Sequence, residues 1–221
     1  NPYIPGYPGQ NKFRGQQIHS AHYKTPDPFK DQRVLIVGGG NSAAQVLAEV
    51  SRHAETVWIT KKEPEFLPDY VDGRYLFVEA TKQYHSGSKD HSDGSSVFNL
   101  GQIVMVPSVK AARERGVLKS YRPFKAFDEN GIIWHDGSHT GINAVIWCTG
   151  FKPALKHLRG LSIYESNRRV AVKGTRSTKV ENLWFVGYGN WTGYASATLI
   201  GVGRTAKHTV NEIKKELALK A

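Results

Sequence analysis

The hexamer Gly38-Gly39-Gly40-Asn41-Ser42-Ala43 follows the β-branched run Val34-Leu35-Ile36-Val37. It opens onto Ala43, Leu47, Val50 and Ala54, which recur at helical spacing. It therefore fits G-x-G-x-x-A between a strand and a helix. In that setting the first glycine permits a tight turn, the second lets a pyrophosphate approach the backbone, and the alanine keeps helix and strand close. Amides at the helix start add donors and partial positive charge for phosphate. The chemistry served is dinucleotide binding. About 20 residues on, a fold of this kind that binds NAD places an acidic residue on the ribose. Here the second strand, Thr56 to Thr60, ends in Thr60-Lys61-Lys62. A hydroxyl and two ammonium groups suit the 2′-phosphate of NADP better than a bare ribose diol, so NADP is the expected cofactor. Two plainer readings stand beside this one: a turn with no ligand, and lysines that are only solvated charge.

Other reactive residue types form weaker patterns. Gly40-x-Ser42-x-Ala44 resembles a degraded nucleophile elbow, but the last glycine is missing and a glycine pair precedes it. His19 and His22 lie three apart, while His85, His91, His135 and His139 are scattered in polar stretches. None builds an H-E-x-x-H motif or a close His/Cys/Asp cluster, so no metal is expected. Cys148, just after a buried run, reads as a small core residue and not as a nucleophile.

The elements that must position these residues can be read from periodicity. Pro2, Pro5, Pro8, Pro26 and Pro28 predict little regular structure before the first strand. Val34 to Val37 reads as a strand buried in a parallel sheet, and strand, helix and second strand make a βαβ unit. Val109 to Arg115 is expected to be helical. From Leu118 to Ile133 alternating residues predict strands joined by a hairpin turn at Asp128-Glu129-Asn130-Gly131. Ala144 to Trp147 is another buried strand, ending at Thr149-Gly150, and Leu183 to Val186 is one more, entering Gly187. Ala206, Val210, Ile213 and Leu217 mark one face of a C-terminal helix. The polar stretch Ser86 to Ser96 is expected to be mobile. The fold class expected is α/β, a doubly wound Rossmann-like arrangement.

Composition narrows the function classes. A chain of 221 residues, 39% hydrophobic and 22% charged, is a soluble globular protein of one or two domains and not a disordered or collagenous one. A single cysteine excludes an intramolecular disulfide and a CxxC pair within this sequence, and suits a reducing cytosol. No run reaches the ~18 apolar residues that span a bilayer, and Asn1 to Gln10 has no signal-peptide core, so the expected location is cytoplasmic. The net charge of +11 favours anionic partners: nucleic acid, anionic membrane or phosphorylated cofactors. The basic residues are dispersed as pairs such as Lys61-Lys62, Arg168-Arg169 and Lys214-Lys215, without the block expected of a nucleic-acid tail, which makes nucleic-acid binding the weakest alternative.

Three segments together carry a family likeness. Phe13-Arg14-Gly15-Gln16-Gln17-Ile18-His19-Ser20-Ala21-His22-Tyr23 fits F-x-G-x-x-x-H-S-x-x-Y, with the nucleotide turn ending Gly-Asn-Ser soon after it. Val145-Ile146-Trp147-Cys148-Thr149-Gly150-Phe151-x-Pro153 and Asn182-Leu183-Trp184-Phe185-Val186-Gly187-Tyr188-Gly189-Asn190 follow later. The combination resembles flavin-dependent monooxygenases of the class that includes N- and S-oxygenating and Baeyer–Villiger enzymes. Asp72-Gly73-Arg74-Tyr75-Leu76-Phe77 and the Asn-Trp-Thr-Gly after Gly189 look most like bacterial flavoproteins grouped with arsenical-resistance and heavy-metal-efflux operons.

The resemblance implies an NADP-binding domain over residues 31–150, inserted in a FAD-binding domain. Residues 1–30 would be a connector from that domain and 151–221 its C-terminal part. It implies that NADPH reduces FAD and that reduced flavin activates O2 to oxygenate a soft nucleophile or carbonyl of a small-molecule substrate. It puts Gly38, Gly40, Asn41, Ser42 and Ala43 at the NADP pyrophosphate and Lys61 and Lys62 near the 2′-phosphate, adds Thr149 and Gly150 to the cofactor-binding set, brings Gly187, Gly189 and Asn190 toward the flavin, and lines the linker between nucleotide domains with His19, Ser20 and Tyr23. Two positions depart from the pattern: Asn143 stands where an acidic residue is usual and Cys148 where alanine is. A second G-x-G-x-x-G turn for the ADP half of FAD is missing from this sequence. The expectation is thus a truncated or partial chain, with a second chain supplying the missing FAD lobe. The rival within the same likeness is a non-catalytic NADP-binding module of a split flavoprotein. No catalytic acid or base is assigned.

Overall fold

The computed structural model describes residues 1–71, 102–165, 170–193 and 196–219. The loop Ser86 to Ser96, the stretch Asp72 to Phe77, His85, His91 and Arg168-Arg169 lie outside the described residues. The chain divides into two units, Asn1–Lys152 and Pro153–Ala221.

In the first unit the elements in chain order are β1 (Gln16–His19), β2 (Arg33–Val37), α1 (Asn41–Val50), β3 (Glu55–Ile59), α2 (Pro107–Glu114) and β4 (Ser120–Tyr121). Next come β5 (Ala126–Phe127), β6 (Gly131–Ile133), β7 (His139–Gly141) and β8 (Ala144–Trp147). Five strands form one sheet in the order β1-β8-β2-β3-β4, every neighbouring pair parallel. Successive side chains of a strand point to opposite faces, so the apolar run of β2 serves two cores at once. Val34 and Ile36 pack with Leu47 of α1, Trp58, Val109 of α2 and Ile146. Leu35 and Val37 pack with Val145, Trp147, Phe124, Phe127 and Ile132. The second face is thereby covered by the antiparallel sheet β5-β6-β7. This is an α/β fold on a Rossmann-type parallel sheet.

Several local expectations need correction. The proline-rich opening contains β1, which pairs with β8 from Gln16↔Ala144 to His19↔Trp147. The sequence Gln-Gln-Ile-His has no apolar run to announce it, because an edge strand is buried on one side only. The hairpin turn at Asp128 joins β5 and β6, where the Asp128 carboxylate accepts from the Asn130 amide at 2.9 Å. β4 stands outside that hairpin and joins the large sheet beside β3.

In the second unit β9 (Val172–Lys173) and β10 (Arg176–Ser177) pair antiparallel, and α3 (Leu199–Ala218) follows. The strand expected at Leu183 to Val186 reduces to a bridge between Trp184 and Arg176. Two flanking bonds support it, from Ser177 N to Leu183 O and from Phe185 N to Thr175 O, at 2.8 and 2.7 Å. Its partner β10 is two residues long, so there is no longer ladder to join. The apolar stretch is explained by packing, since Phe185 is buried with Leu155 and Ile163. The inward face of α3 is also not the expected one: Thr209 is 4% exposed, while Val210 and Leu217 are 49% and 63% exposed. Thr209 shares a hydroxyl hydrogen bond of 2.6 Å with Thr175, and Arg176 pairs with Glu216 at 2.7 Å. A helix that turns hydroxyls and a carboxylate inward carries no hydropathy stripe on that face. Among the described residues no helix is long and apolar enough to cross a membrane.

Candidate functional site

The C-terminal ends of β2, β3 and β8 open onto a cleft of about 570 Å³. From β2 the chain runs through α1 to β3 on one side, while β8 lies on the other. Such a reversal of strand order leaves a crevice outside the carboxyl ends of the strands, the usual ligand position in an open α/β sheet. Gly38, Gly39, Lys61, Lys62, Cys148 and Thr149 line one part of the cleft, and Tyr3, Pro5, Tyr7 and Pro123 supply an apolar wall.

The glycines of the turn differ in what they are for. Gly38 has φ +143°, donates its amide to Ile59 O at 2.9 Å and accepts from the Trp58 indole at 2.7 Å. A Cβ on it would stand 2.2 Å from the Cys148 carbonyl oxygen, so close packing of β2 and β8 requires glycine there. Gly40 has φ −110° and ψ −174°, an extended backbone open to any residue, and a Cβ on it would meet nothing within 4 Å. Neither conformation nor packing asks for glycine at 40. The open space beside it, at the start of α1, is a cradle of the kind a pyrophosphate needs.

The α1 ladder begins with the Ala43 and Ala44 amides on Gly40 O, at 3.0 and 3.2 Å. The amides of Asn41 and Ser42 precede that ladder and are the donors a bound anion would use. Ala43 is fully buried, so its part is helix–strand packing. The Asn41 side chain is engaged elsewhere: it donates to Gln102 O at 3.0 Å and accepts from Val104 N at 2.7 Å. It pins the 102–104 segment, which bridges to Phe66 and contributes Gln102 to the cleft wall.

Lys61 and Lys62 are exposed and line the cleft, with Glu63 and Glu65 beside them. Thr60 is buried and does not line it. Its hydroxyl accepts from Arg122 Nη1 at 3.2 Å, while Arg122 Nη2 donates to Glu63 at 2.5 Å. Arg122, Tyr3 and Tyr7 escaped the sequence reading. The signal for Arg122 lay in the pairing of β4 with β3, which sets Tyr121 opposite Ile59.

At the end of β8, the Thr149 hydroxyl donates to Tyr3 O. Gly150 has φ +76°, and its carbonyl accepts from Tyr3 N at 3.0 Å and lies 2.9 Å from His19 Nε2. His19 Nδ1 accepts from Ala21 N at 3.1 Å, so Nε2 carries the proton and donates to Gly150. The buried His19 thus clamps the ends of β1 and β8 together. Gly150 belongs to this clamp and not to the cleft lining. Tyr23 donates to Glu49 at 3.0 Å; burial and this carboxylate raise its phenol above the ordinary value. Burial pushes the Cys148 thiol up to about 12, the Ser20 hydroxyl pulling weakly the other way.

In the second unit Gly187 and Gly189 have φ +81° and +88°. The Gly189 carbonyl accepts from Thr192 N at 2.9 Å, Thr192 Oγ1 at 3.1 Å and Ser196 Oγ at 2.6 Å, which locks the turn. A Cβ at Gly189 would meet nothing within 4 Å. Asn190 begins the 3-10 turn Asn190–Thr192. Among the described residues no group of three or more His, Cys, Asp or Glu side chains could hold a metal.

Comparison with known proteins bears on the family and the fold. Residues 1–73 match the family model described as flavin-binding monooxygenase-like. A flavin-containing monooxygenase from Stenotrophomonas maltophilia superposes with a TM-score of 0.83 at 47% identity, over 98% of this chain and 59% of its own. A Bacillus velezensis protein named uncharacterized oxidoreductase CzcO is 28% identical over 96% of this chain and 61% of its own length. Human flavin-containing monooxygenase 1 is 50% identical over 62 residues, 27% of this chain and 12% of its own. The chain thus spans about three-fifths of the length of the first two. These likenesses and the Rossmann-type sheet support a flavin monooxygenase family for this chain, a family of oxidoreductases that use FAD and NADPH.

Proposed function

We propose that this chain carries the NADP(H) site of a flavin-dependent monooxygenase, with NADPH as reductant and a small-molecule soft nucleophile or carbonyl as substrate. The observation that carries this reading is the open space at Gly40, one residue beyond Gly39, which lines the same cleft as Lys61 and Lys62. The Asn41 and Ser42 amides hold the pyrophosphate, the two lysines hold the 2′-phosphate, and the wall of Tyr3, Pro5, Tyr7 and Pro123 keeps water from the apolar parts of the nucleotide. Asn41 positions the Gln102 side of the cleft through its side chain. Gly187, Gly189 and Asn190 form the turn that approaches the flavin. NADPH supplies hydride, and reduced FAD supplies the means of activating O2. A cytoplasmic setting suits a chain with a single, unpaired thiol.

The test is absorption spectroscopy of the purified chain given excess FAD, desalted, and then given NADPH. Flavin colour that is retained, bleaches with NADPH and returns in air supports an oxidoreductase within these residues. A colourless chain that still binds NADP+ leaves the non-catalytic NADP-binding module. For cofactor choice, Lys61→Ala with Lys62→Ala is expected to weaken NADP+ at least about tenfold and NAD+ by less than about twofold, given the strength of charge-assisted hydrogen bonds. Added salt should shrink the difference, because the lysines are exposed. Equal losses for both nucleotides remove the 2′-phosphate role.

A further inference from the structure

We propose that Arg122 is a third cation of the 2′-phosphate subsite, held in reserve by Glu63, and that this carboxylate sets how strongly the site prefers NADP over NAD. The inference rests on the NADP reading of the cleft. Parallel pairing of β3 with β4 brings Ile59 opposite Tyr121, so Thr60 to Glu63 and Arg122 leave the sheet side by side. The Arg122 guanidinium spans the two: Nη1 donates to the Thr60 hydroxyl at 3.2 Å and Nη2 to Glu63 at 2.5 Å. Glu63 itself lines the cleft next to Lys61 and Lys62, so the charge Arg122 neutralises lies at the cleft rim.

Two features make the carboxylate a replaceable partner. The pair is exposed, 52% at Arg122 and 77% at Glu63, and exposed ion pairs contribute little to folding. A phosphate dianion accepts from a guanidinium nitrogen as a carboxylate does and carries more charge, so it can take the place of Glu63 on Nη2. The Thr60 hydroxyl, buried and fixed by its own strand end, keeps the guanidinium aimed when Glu63 swings away. NAD brings no phosphate to this corner and leaves the Arg122–Glu63 pair closed. NADP must displace Glu63, and Glu63 opposes it by like charge. Removal of that carboxylate should therefore strengthen binding only of ligands that carry the 2′-phosphate.

The experiment is calorimetric titration of the full chain with adenosine 2′,5′-bisphosphate and with AMP, which differ only in the 2′-phosphate. Arg122→Ala is expected to weaken the bisphosphate about tenfold and AMP by less than about twofold, with Arg122→Lys intermediate because it keeps charge without the fork. Glu63→Gln should tighten the bisphosphate about threefold and leave AMP unchanged, by loss of like-charge repulsion. Arg14→Ala, which breaks a 2.8 Å surface pair with Glu129 elsewhere, should change neither ligand. Arg122→Ala acting on both ligands alike, or on neither, overturns the inference while a wild-type preference for the bisphosphate keeps the NADP reading. A wild-type chain that binds the two equally, or binds neither, overturns both.

Discussion

Gly40→Ala is expected to fold and to lose NADP(H) binding, whereas Gly38→Ala is expected not to fold. The two glycines sit two residues apart in one turn, and the contrast separates what the fold needs from what a ligand needs. At Gly40 the added methyl enters open space and an extended backbone, so its cost to the fold is about 1 kcal/mol, from a poorer residue at the start of α1. The same methyl stands where a pyrophosphate would lie against the amides of Asn41 and Ser42. Loss of two charge-assisted hydrogen bonds there corresponds to an affinity drop of roughly two orders of magnitude. At Gly38 the methyl would stand 2.2 Å from Cys148 O, on a backbone at φ +143°. Relief requires parting β2 from β8 at the centre of the sheet, a cost of about 4 kcal/mol or more, a large share of a typical domain's stability. Thermal unfolding followed by circular dichroism, with NADP+ titration of whatever folds, reads both effects. Wild-type affinity in Gly40→Ala would remove the cradle from the site, and unfolding of Gly40→Ala would make its glycine structural.

The same contrast shows what was legible in the sequence. The strand, turn and helix from Val34 to Val50 could be read because β-branched residues, glycine spacing and helical periodicity all mark one unit. Lys61 and Lys62 could be read because the βαβ length fixes where the second strand ends. Arg122 could not, since it reaches Thr60 across 62 positions through a two-residue strand. Tyr3 could not either, because its place depends on the closure of Thr149 onto it, 146 positions away. The place of Asn41 in the motif is legible, whereas the engagement of its side chain with Gln102 and Val104 is encoded by no local pattern. In the second unit the error ran the other way: an apolar run suggested a strand at Leu183, and an apolar stripe suggested the wrong face of α3. Both patterns describe hydropathy, whereas backbone partners and the Thr175–Thr209 and Arg176–Glu216 pairs decide the outcome.

Cys148 is expected to resist alkylation in the folded chain. It stands on the cleft wall, beneath Gly38, where a reactive thiolate would put negative charge beside the pyrophosphate. Burial raises the thiol from 9.0 to about 12, the Ser20 hydrogen bond offsetting only part of this. The thiolate is the nucleophile, and although a more basic thiolate reacts faster, the loss of thiolate dominates, so iodoacetamide should modify the native chain at least about tenfold more slowly than the chain in denaturant. Mass spectrometry of the modified peptide over time measures the ratio. The shift also fixes the sign of a pH effect. A value raised on folding favours the folded state fully below 9.0, and that contribution is lost as pH climbs from 9.0 toward 12, not on acidification. Tyr23 is raised as well and acts in the same direction. Cys148→Ala, which puts the family's usual residue at this position, should flatten part of the alkaline fall in melting temperature. It should leave NADP+ affinity unchanged, since the thiol offers the nucleotide neither charge nor a needed donor. Native alkylation as fast as in denaturant would mean that the thiol is not held in its neutral form at the cleft wall.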